Sequence, residues 1–371
     1  MKNPFYFKAL PDDAPFCNRS KELAALLRFA ESLNDVVLYS PRRYGKTSLM
    51  RRVQKTLRDQ GTVTLFVDFY GVASLHEVAS RVATAVFRVT HGEKPLWDKA
   101  LQIIKTFRPV LRPSQDGGVE VSVEASEGRL GMSLLEAALD ELGEFVARVG
   151  RPVHTVFDEF QEITILPEAR QIEAAMRTRI QQYQAAHCFV GSRRRLLIAM
   201  FNENQRPFFQ SAHNFALPPL PEGELTDFVR DRFAVAGTTC PESVAADLVR
   251  RVQCHPHYTQ RLGYLTFEVT GQEVTTTHID EAFSDLLATE RPVFEAMLQP
   301  LPPQQRLLLR ALAREPAQQV MAKNFVRTHH LGSTNGIGHS VKQLATLDLI
   351  ADDDGPWQVV DPLFAVWLRQ Y

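Results

Sequence analysis

The sequence predicts an α/β fold in its first half, a parallel sheet with helices on both faces, followed by a helix-dominated second half. Two observations carry this reading. Four short runs of β-branched and aromatic residues, at 36–39, 63–67, 153–157 and 188–190, are separated by stretches of helical periodicity. After Leu217-Pro218-Pro219-Leu220-Pro221 the strand signals stop and helical spacing takes over.

Each run is apolar almost throughout, as a strand covered on both faces must be. Residues 46–60 follow the first run as an amphipathic helix: Leu49, Val53 and Leu57 recur every four residues, while Arg51, Arg52, Lys55 and Arg58 take other faces. Between the second and third runs, the turn Arg112-Pro113-Ser114-Gln115-Asp116-Gly117-Gly118 precedes the alternating Val119, Val121 and Val123. That predicts an exposed strand or hairpin inserted at about 112–132, then a helix over 134–149. Helical patterns over 224–233, 242–252, 258–269 and 278–287 form a segment spanning 218–290. Helices over 304–314, 322–330 and 336–347 then lead to two extended pieces, 349–351 and 357–360, joined by Asp352-Asp353-Asp354-Gly355. Three helices and a hairpin suggest a winged helix. In its third helix Ile337, Val341, Leu344 and Leu347 are expected to form the buried face. The expected domains are 1–217, 218–290 and 291–371.

Of 371 residues, 44% are hydrophobic and 23% charged, which excludes wholesale disorder. Lys and Arg number 42 against 43 Asp and Glu, so no chain-wide basic field gathers nucleic acid. Cys17, Cys188, Cys240 and Cys254 lie far apart without zinc-ligand spacing and read as reduced thiols. No apolar run is long enough to span a bilayer, and the opening residues lack the apolar segment of a signal peptide. A cytoplasmic protein without membrane attachment is expected.

The first strand runs into Ser40-Pro41-Arg42-Arg43-Tyr44-Gly45-Lys46-Thr47-Ser48 and then directly into the amphipathic helix. This is a P-loop in position. Backbone N–H groups and the positive end of the helix dipole form an anion site, Lys46 adds a point charge for the β and γ phosphates, and Thr47 offers a hydroxyl to Mg²⁺. The usual pattern opens with glycine, where this chain has Ser40. The third run ends in Asp158-Glu159. In an ATP-hydrolysing P-loop protein this pair divides the work: Asp158 holds the Mg²⁺ shell and Glu159 polarises the attacking water. At the tip of the fourth run stand Ser192 and Arg193, followed by Arg194 and Arg195. Ser192 either senses the γ-phosphate or caps a helix, and Arg193 either stabilises transition-state charge or is a solvated turn residue.

Taken in order, these boxes resemble the archaeal-type ATPases of the STAND class, relatives of AAA+ proteins. The likeness includes the lead-in Phe16-Cys17-Asn18-Arg19-Ser20-Lys21-Glu22-Leu23, the P-loop, Phe157-Asp158-Glu159-Phe160-Gln161-Glu162, Gly191-Ser192 and Arg206-Pro207-Phe208-Phe209. It continues through His255-Pro256-His257-Tyr258-Thr259-Gln260 to the ending Val360-Asp361-Pro362-Leu363-Phe364-Ala365-Val366-Trp367-Leu368. The resemblance implies ATP and Mg²⁺ as cofactors, with Asn18, Arg19 and Glu22 beside the adenine. It also implies a helical lid that His255 and Pro256 bring onto the phosphates. Many members carry an arginine where this chain has Ser211; Arg206, just before Pro207, either stands in for it or is unrelated to it.

The expected activity is an ATP-hydrolysing molecular switch: ATP closes the lid, hydrolysis to ADP reopens it, and the winged helix reports the change. Two alternatives share the ATPase core: a slow-turnover regulatory scaffold that binds a protein partner, and a DNA-associated ATPase that assembles on DNA. A nucleotide-dependent homo-oligomer fits either. Residues 301–371 carry seven Lys and Arg against six Asp and Glu, and the candidate recognition helix offers only Lys342 and His339. Phosphate affinity needs several cations at the docking face, so the winged helix is expected to favour protein over DNA.

Overall fold

In the computed structural model, which describes residues 2–6, 15–114, 118–126, 128–352 and 355–370, the chain divides into two compact units. The first is Arg19–Pro218. Its elements in order are α1 (Ser20–Glu31), β1 (Val36–Tyr39), α2 (Lys46–Asp59), β2 (Val63–Asp68), α3 (Leu75–Thr90), α4 (Lys94–Ile103), β3 (Phe107–Pro113) and β4 (Val119–Ala125). They continue with α5 (Gly131–Arg148), β5 (Val153–Asp158), a 3₁₀ turn (Phe160–Ile165), α6 (Ala169–Ile180), β6 (Ala185–Gly191), α7 (Arg194–Asn202) and β7 (His213–Ala216).

The sheet runs β2-β5-β6-β1-β7, all parallel. The strand carrying Gly191 therefore lies between the strands that lead to the P-loop and to Asp158. The four apolar runs are strands, with β1 buried at every residue. Register places Tyr39 of β1 opposite Gly191 of β6, and Phe157 of β5 opposite Phe189 of β6, so the three strands end side by side. Phe157 and Phe189 belong to an aromatic core with Phe160, Phe201 and Phe208. The ring centroids of Phe160–Phe189, Phe189–Phe201 and Phe201–Phe208 lie 4.8, 5.0 and 5.0 Å apart. Such pairs add about 0.5–1.5 kcal/mol each beyond burial, which stiffens the strand ends.

Three features depart from the sequence expectation. The edge strand β7, His-Asn-Phe-Ala, has no apolar run because its residues are exposed or half-buried. β6 starts earlier, at Ala185, because the polar His187 is accommodated: its Nδ1 lies 2.9 Å from Asp35 Oδ1, which also accepts its backbone N–H. The inserted ribbon pairs Phe107–Pro113 with Val119–Ala125, so it begins before the 112–132 interval, and residues from Gly131 onward already belong to α5. Pro109 and Pro113 hide the first strand in the sequence. Their even spacing of four puts both missing donors on one edge, where a ribbon tolerates them. Gln115, Asp116 and Gly117 of the expected turn lie outside the described residues.

The second unit is Met1–Asn18 with Pro219–Tyr371. It contains α8 (Glu222–Val235), α9 (Glu242–Arg251), α10 (Pro256–Val269), α11 (Thr276–Leu298), α12 (Pro303–Arg314), α13 (Lys323–Thr328), α14 (Thr334–Thr346), β8 (Ile350–Ala351), β9 (Gln358–Val359) and α15 (Pro362–Gln370). Met1–Asn18 thus groups with this unit, a correction to the 1–217 division. Phe5 is the reason. It is buried edge-on to Phe233 at 5.0 Å, and its ring sits where Gly263 leaves room, a Cβ at that glycine falling 2.5 Å from it. Asn3 Nδ2 donates to Tyr264 O at 3.1 Å, and Gln260 Oε1 accepts from the Tyr6 N–H at 3.1 Å.

The expected division at 290/291 falls inside α11. Pro292 interrupts one hydrogen bond, but Leu286, Leu287, Glu290, Phe294 and Leu298 are buried along the helix, and packing holds it through. The C-terminal segment is a winged helix: α12, α13 and α14 precede the antiparallel β8–β9 pair, and Ala317 bridges Trp357 as a further extended position. In α14 Ile337 and Leu344 are buried and Val341 is half-buried, whereas Leu347 is 57% exposed. Leu347 is the residue that ends the helix, where the apolar stripe has turned away from the core. Asp353 and Asp354 of the expected wing lie outside the described residues.

Phe5→Ala removes a buried ring from this core and is expected to cost about 3 kcal/mol. Denaturant unfolding of the variant against the wild-type chain measures it.

Candidate active site

The loop between β1 and α2 turns on two residues in the left-handed region, Arg43 (φ 64) and Gly45 (φ 89). For Arg43 this costs on the order of 1 kcal/mol; at Gly45 the absent Cβ removes the penalty. A Cβ at Gly45 would meet nothing within 4 Å, so conformation rather than space calls for glycine, and the space at that residue is open. Gly45 is the N-cap of α2 and provides no side-chain cap, and the first turn holds no acidic residue. The leading N–H groups of α2 therefore remain for an anion, with the helix dipole behind them.

Lys46 is buried and its ammonium is turned into the loop. Nζ donates to Ser40 O and Pro41 O, both at 2.9 Å, and to Ser40 Oγ at 3.3 Å. Ser40, where the pattern has glycine, thus supplies an additional acceptor to the lysine. Burial lowers the Lys46 pKa to about 8, against the opposing pull of Glu159 and Asp158. Pro41, Tyr44 and Ser48 are half-buried, and Arg42 and Arg43 are exposed.

Beside the loop, Thr47 Oγ1 donates to Asp158 Oδ2 at 2.9 Å. Burial raises the Asp158 pKa to about 6, only partly offset by this hydrogen bond. Both shifts run toward the uncharged forms. Lysine and carboxylate each gain when an opposite charge enters, so these residues fit a triphosphate and a divalent cation: Lys46 for the anion, Thr47 and Asp158 for the cation.

Glu159 follows β5 in the left-handed region, φ 49. Its Oε2 accepts from Ser192 Oγ at 3.2 Å and from Gln161 Nε2. Of the two readings for Ser192, helix capping is not the one realised: α7 starts at Arg194 with Arg193 as N-cap and no side-chain cap, while the serine hydroxyl turns to Glu159. Arg193 is half-buried.

The fold brings Ser40, Pro41, Lys46, Thr47, Asp158, Glu159 and Ser192 to the ends of three adjacent strands. Arg19, buried with φ 100, donates from Nη1 to Pro218 O at 2.7 Å and to Glu22 Oε1 at 3.0 Å, which ties the start of α1 to the end of the unit. Asn18, also at positive φ, ends the N-terminal segment. His255 and Pro256 belong to the other unit, where His255 Nδ1 accepts from Tyr258 N at 3.4 Å as the N-cap of α10 and Pro256 takes the first turn. Arg206 pairs with Glu173, Nη2 to Oε1 at 2.5 Å, and that glutamate side chain is 0% exposed. The arginine therefore neutralises a buried charge inside its own unit.

Sequence reasoning placed Gln161 and Gly191 in the family boxes but gave neither a role. Gln161 is fully buried, and a Cβ at Gly191 would fall 1.9 Å from its Oε1. The available signal was a glycine closing an otherwise side-chain-rich strand.

Comparison with known proteins identifies the family and the fold. Residues 16–234 match the ATPase domain predominantly from Archaea, and residues 292–370 match a probable winged helix domain. The chain belongs to this archaeal-type ATPase family. Among solved structures it is similar to the Walker-type ATPase PABY2304 of Pyrococcus abyssi, at 15% identity over 98% of this chain and 99% of that one, TM-score 0.70. It is also similar to the ORC2 protein of Aeropyrum pernix in its ADPNP-ADP complexes, at 14% identity over 98% and 95%, TM-score 0.60. The ORC1 protein of Aeropyrum pernix, solved in complex with DNA, matches at 17% identity over 97% and 94%, TM-score 0.52. At these identities the likeness is one of fold. No curated protein matches the chain. Among the described residues no helix is long and apolar enough to cross a membrane.

Arg206→Ala leaves Glu173 buried without its counter-charge and is expected to cost about 3 kcal/mol or more. Arg206→Ala combined with Glu173→Leu should recover most of that loss in thermal unfolding.

Proposed function

We propose that this chain binds and hydrolyses ATP with Mg²⁺ and serves as a nucleotide-dependent switch. The observation that supports this best is the convergence of Lys46, the Thr47–Asp158 pair and Glu159 at the ends of β1, β5 and β6. In this reading Lys46 and the first N–H groups of α2 hold the β and γ phosphates. Thr47 and Asp158 would hold Mg²⁺, which when bound neutralises phosphate charge. Glu159 accepts the proton of the attacking water, and Ser192 senses the γ-phosphate through the carboxylate it already touches. Asn18, Arg19 and Glu22 take the adenine side, as the family resemblance implies, and His255 with Pro256 make α10 the lid element.

The output is assigned to the winged helix. On α14 the exposed positions include His339, Lys342 and Thr346, with one lysine among them. This favours a protein partner, with nucleotide-dependent self-association as a further possibility of the same surface chemistry. A DNA-associated role has one observation in its favour, the fold likeness to an ORC1 protein solved with DNA.

Lys46→Ala is expected to abolish nucleotide binding. Glu159→Gln should keep binding while turnover falls by roughly 10²–10⁴-fold, the usual contribution of a positioned base. Turnover by Glu159→Gln at the wild-type rate would remove that residue from the mechanism. Wild-type hydrolysis measured with and without duplex DNA at two salt concentrations separates the partner readings: salt-sensitive stimulation supports DNA, and indifference supports protein.

A further inference from the structure

We propose that Gln161 is a positioning residue for the carboxylate of Glu159, an inference that rests on the reading of Glu159 as the water-activating base. Both hydrogen bonds to that carboxylate converge on Oε2, one from Ser192 Oγ and one from Gln161 Nε2. Among the described residues Oε1 accepts none. One oxygen is therefore fixed by two donors while the other keeps its lone pairs for a proton.

Three features show that the glutamine is held for its donor. First, Gln161 is fully buried in the 3₁₀ turn after β5, which folds its side chain back onto residue 159. Second, among the described residues its Oε1 has no partner although it is buried. A glutamine retained for structure alone would satisfy both ends, and an orphaned buried acceptor carries a desolvation penalty. The reverse amide orientation would place this oxygen against a carboxylate oxygen, acceptor to acceptor, so the N–H end must face Glu159. Third, the amide fits only because β6 ends in glycine: a Cβ at Gly191 would lie 1.9 Å from Gln161 Oε1 and 2.6 Å from Leu197 Cδ1. Gly191 also precedes Ser192, so one strand end supplies the room for one donor and the backbone for the other.

Gln161→Met keeps the side-chain length and removes the donor without adding charge. Its kcat for ATP should fall on the order of tenfold or more, the effect of a lost hydrogen bond to a charged group. Affinity for a non-hydrolysable ATP analogue should stay within about twofold, and the thermal midpoint should hold or rise because the orphaned oxygen is gone. In the Glu159→Gln background the same change should add no further loss, since Gln161 acts through that carboxylate. Gly191→Ala, which displaces the amide from the other side, should reproduce the loss of kcat with binding retained. If Gln161→Met turns over at the wild-type rate while Glu159→Gln is inactive, the proposal falls and the assignment of the base stands. A further slowing of the double variant would likewise overturn it in favour of a structural role. If Glu159→Gln itself hydrolyses ATP at the wild-type rate, the assignment of the base falls and takes the proposal with it.

Discussion

The parallel register of β1, β6 and β5 is the constraint on which the site depends. Because Tyr39 lies opposite Gly191 and Phe189 opposite Phe157, the chain leaves all three strands at the same level. The P-loop, Ser192 and Asp158-Glu159 then fall within hydrogen-bonding reach although they are distant in sequence. Slipping β5 by one residue would turn its side chains to the other face and break the Thr47–Asp158 and Ser192–Glu159 bonds together. The aromatic core of Phe157, Phe160, Phe189, Phe201 and Phe208 holds that register. Its rings come from β5, the 3₁₀ turn, β6, α7 and the loop after α7, so packing fixes the same elements that carry the polar groups.

Charge at the site is arranged to be incomplete. A buried ammonium and a buried carboxylate are both pushed toward neutrality; the Glu159 and Asp158 carboxylates only partly offset the loss of water at Lys46, and the Thr47 hydrogen bond only partly offsets it at Asp158. The lysine meanwhile rests on loop carbonyls, neutral acceptors that cost it less to leave than a carboxylate would. The near-balance of 42 against 43 charges in the whole chain hides this local accounting. Seven Lys and Arg against one Asp lie between residues 41 and 60, where the P-loop and α2 concentrate positive charge.

The strands that build the site were legible because burial on both faces demands an unbroken apolar run, and the P-loop and Asp-Glu pair because phosphate chemistry demands those residue types beside such runs. What the sequence concealed has physical causes of its own. The edge strand β7 needs no apolar run, and β6 carries a histidine whose Nδ1 and backbone N–H are met by Asp35, outside the strand itself. Phe5 packs against α8 and α10, a long-range contact that local periodicity does not encode. Leu347 continues the stripe of α14 in sequence but falls where the helix ends, so periodicity overextends it. Gln161 was named in a family box but its role was not legible, because a glutamine after a strand is ordinary; the geometry of Gly191 marks it.

The family boxes in the second unit have an explanation that requires no nucleotide. His255 caps α10, Gln260 receives the backbone N–H of Tyr6, and Tyr258 Oη donates to Asp361 Oδ2 at 2.6 Å. Asp361 in turn accepts the N–H groups of Leu363 and Phe364 at 2.9 Å each and so starts α15. The helix that bears His255 and the helix that closes the winged helix are therefore joined by a tyrosine–carboxylate bond over a shared core. α11 runs across the expected boundary between them without a break. A hinge at 290/291 would have to unwind a helix anchored by buried residues on both sides of it. Within this unit the helical segment and the winged helix therefore share one packed core, tied by the Tyr258–Asp361 bond and by the unbroken α11.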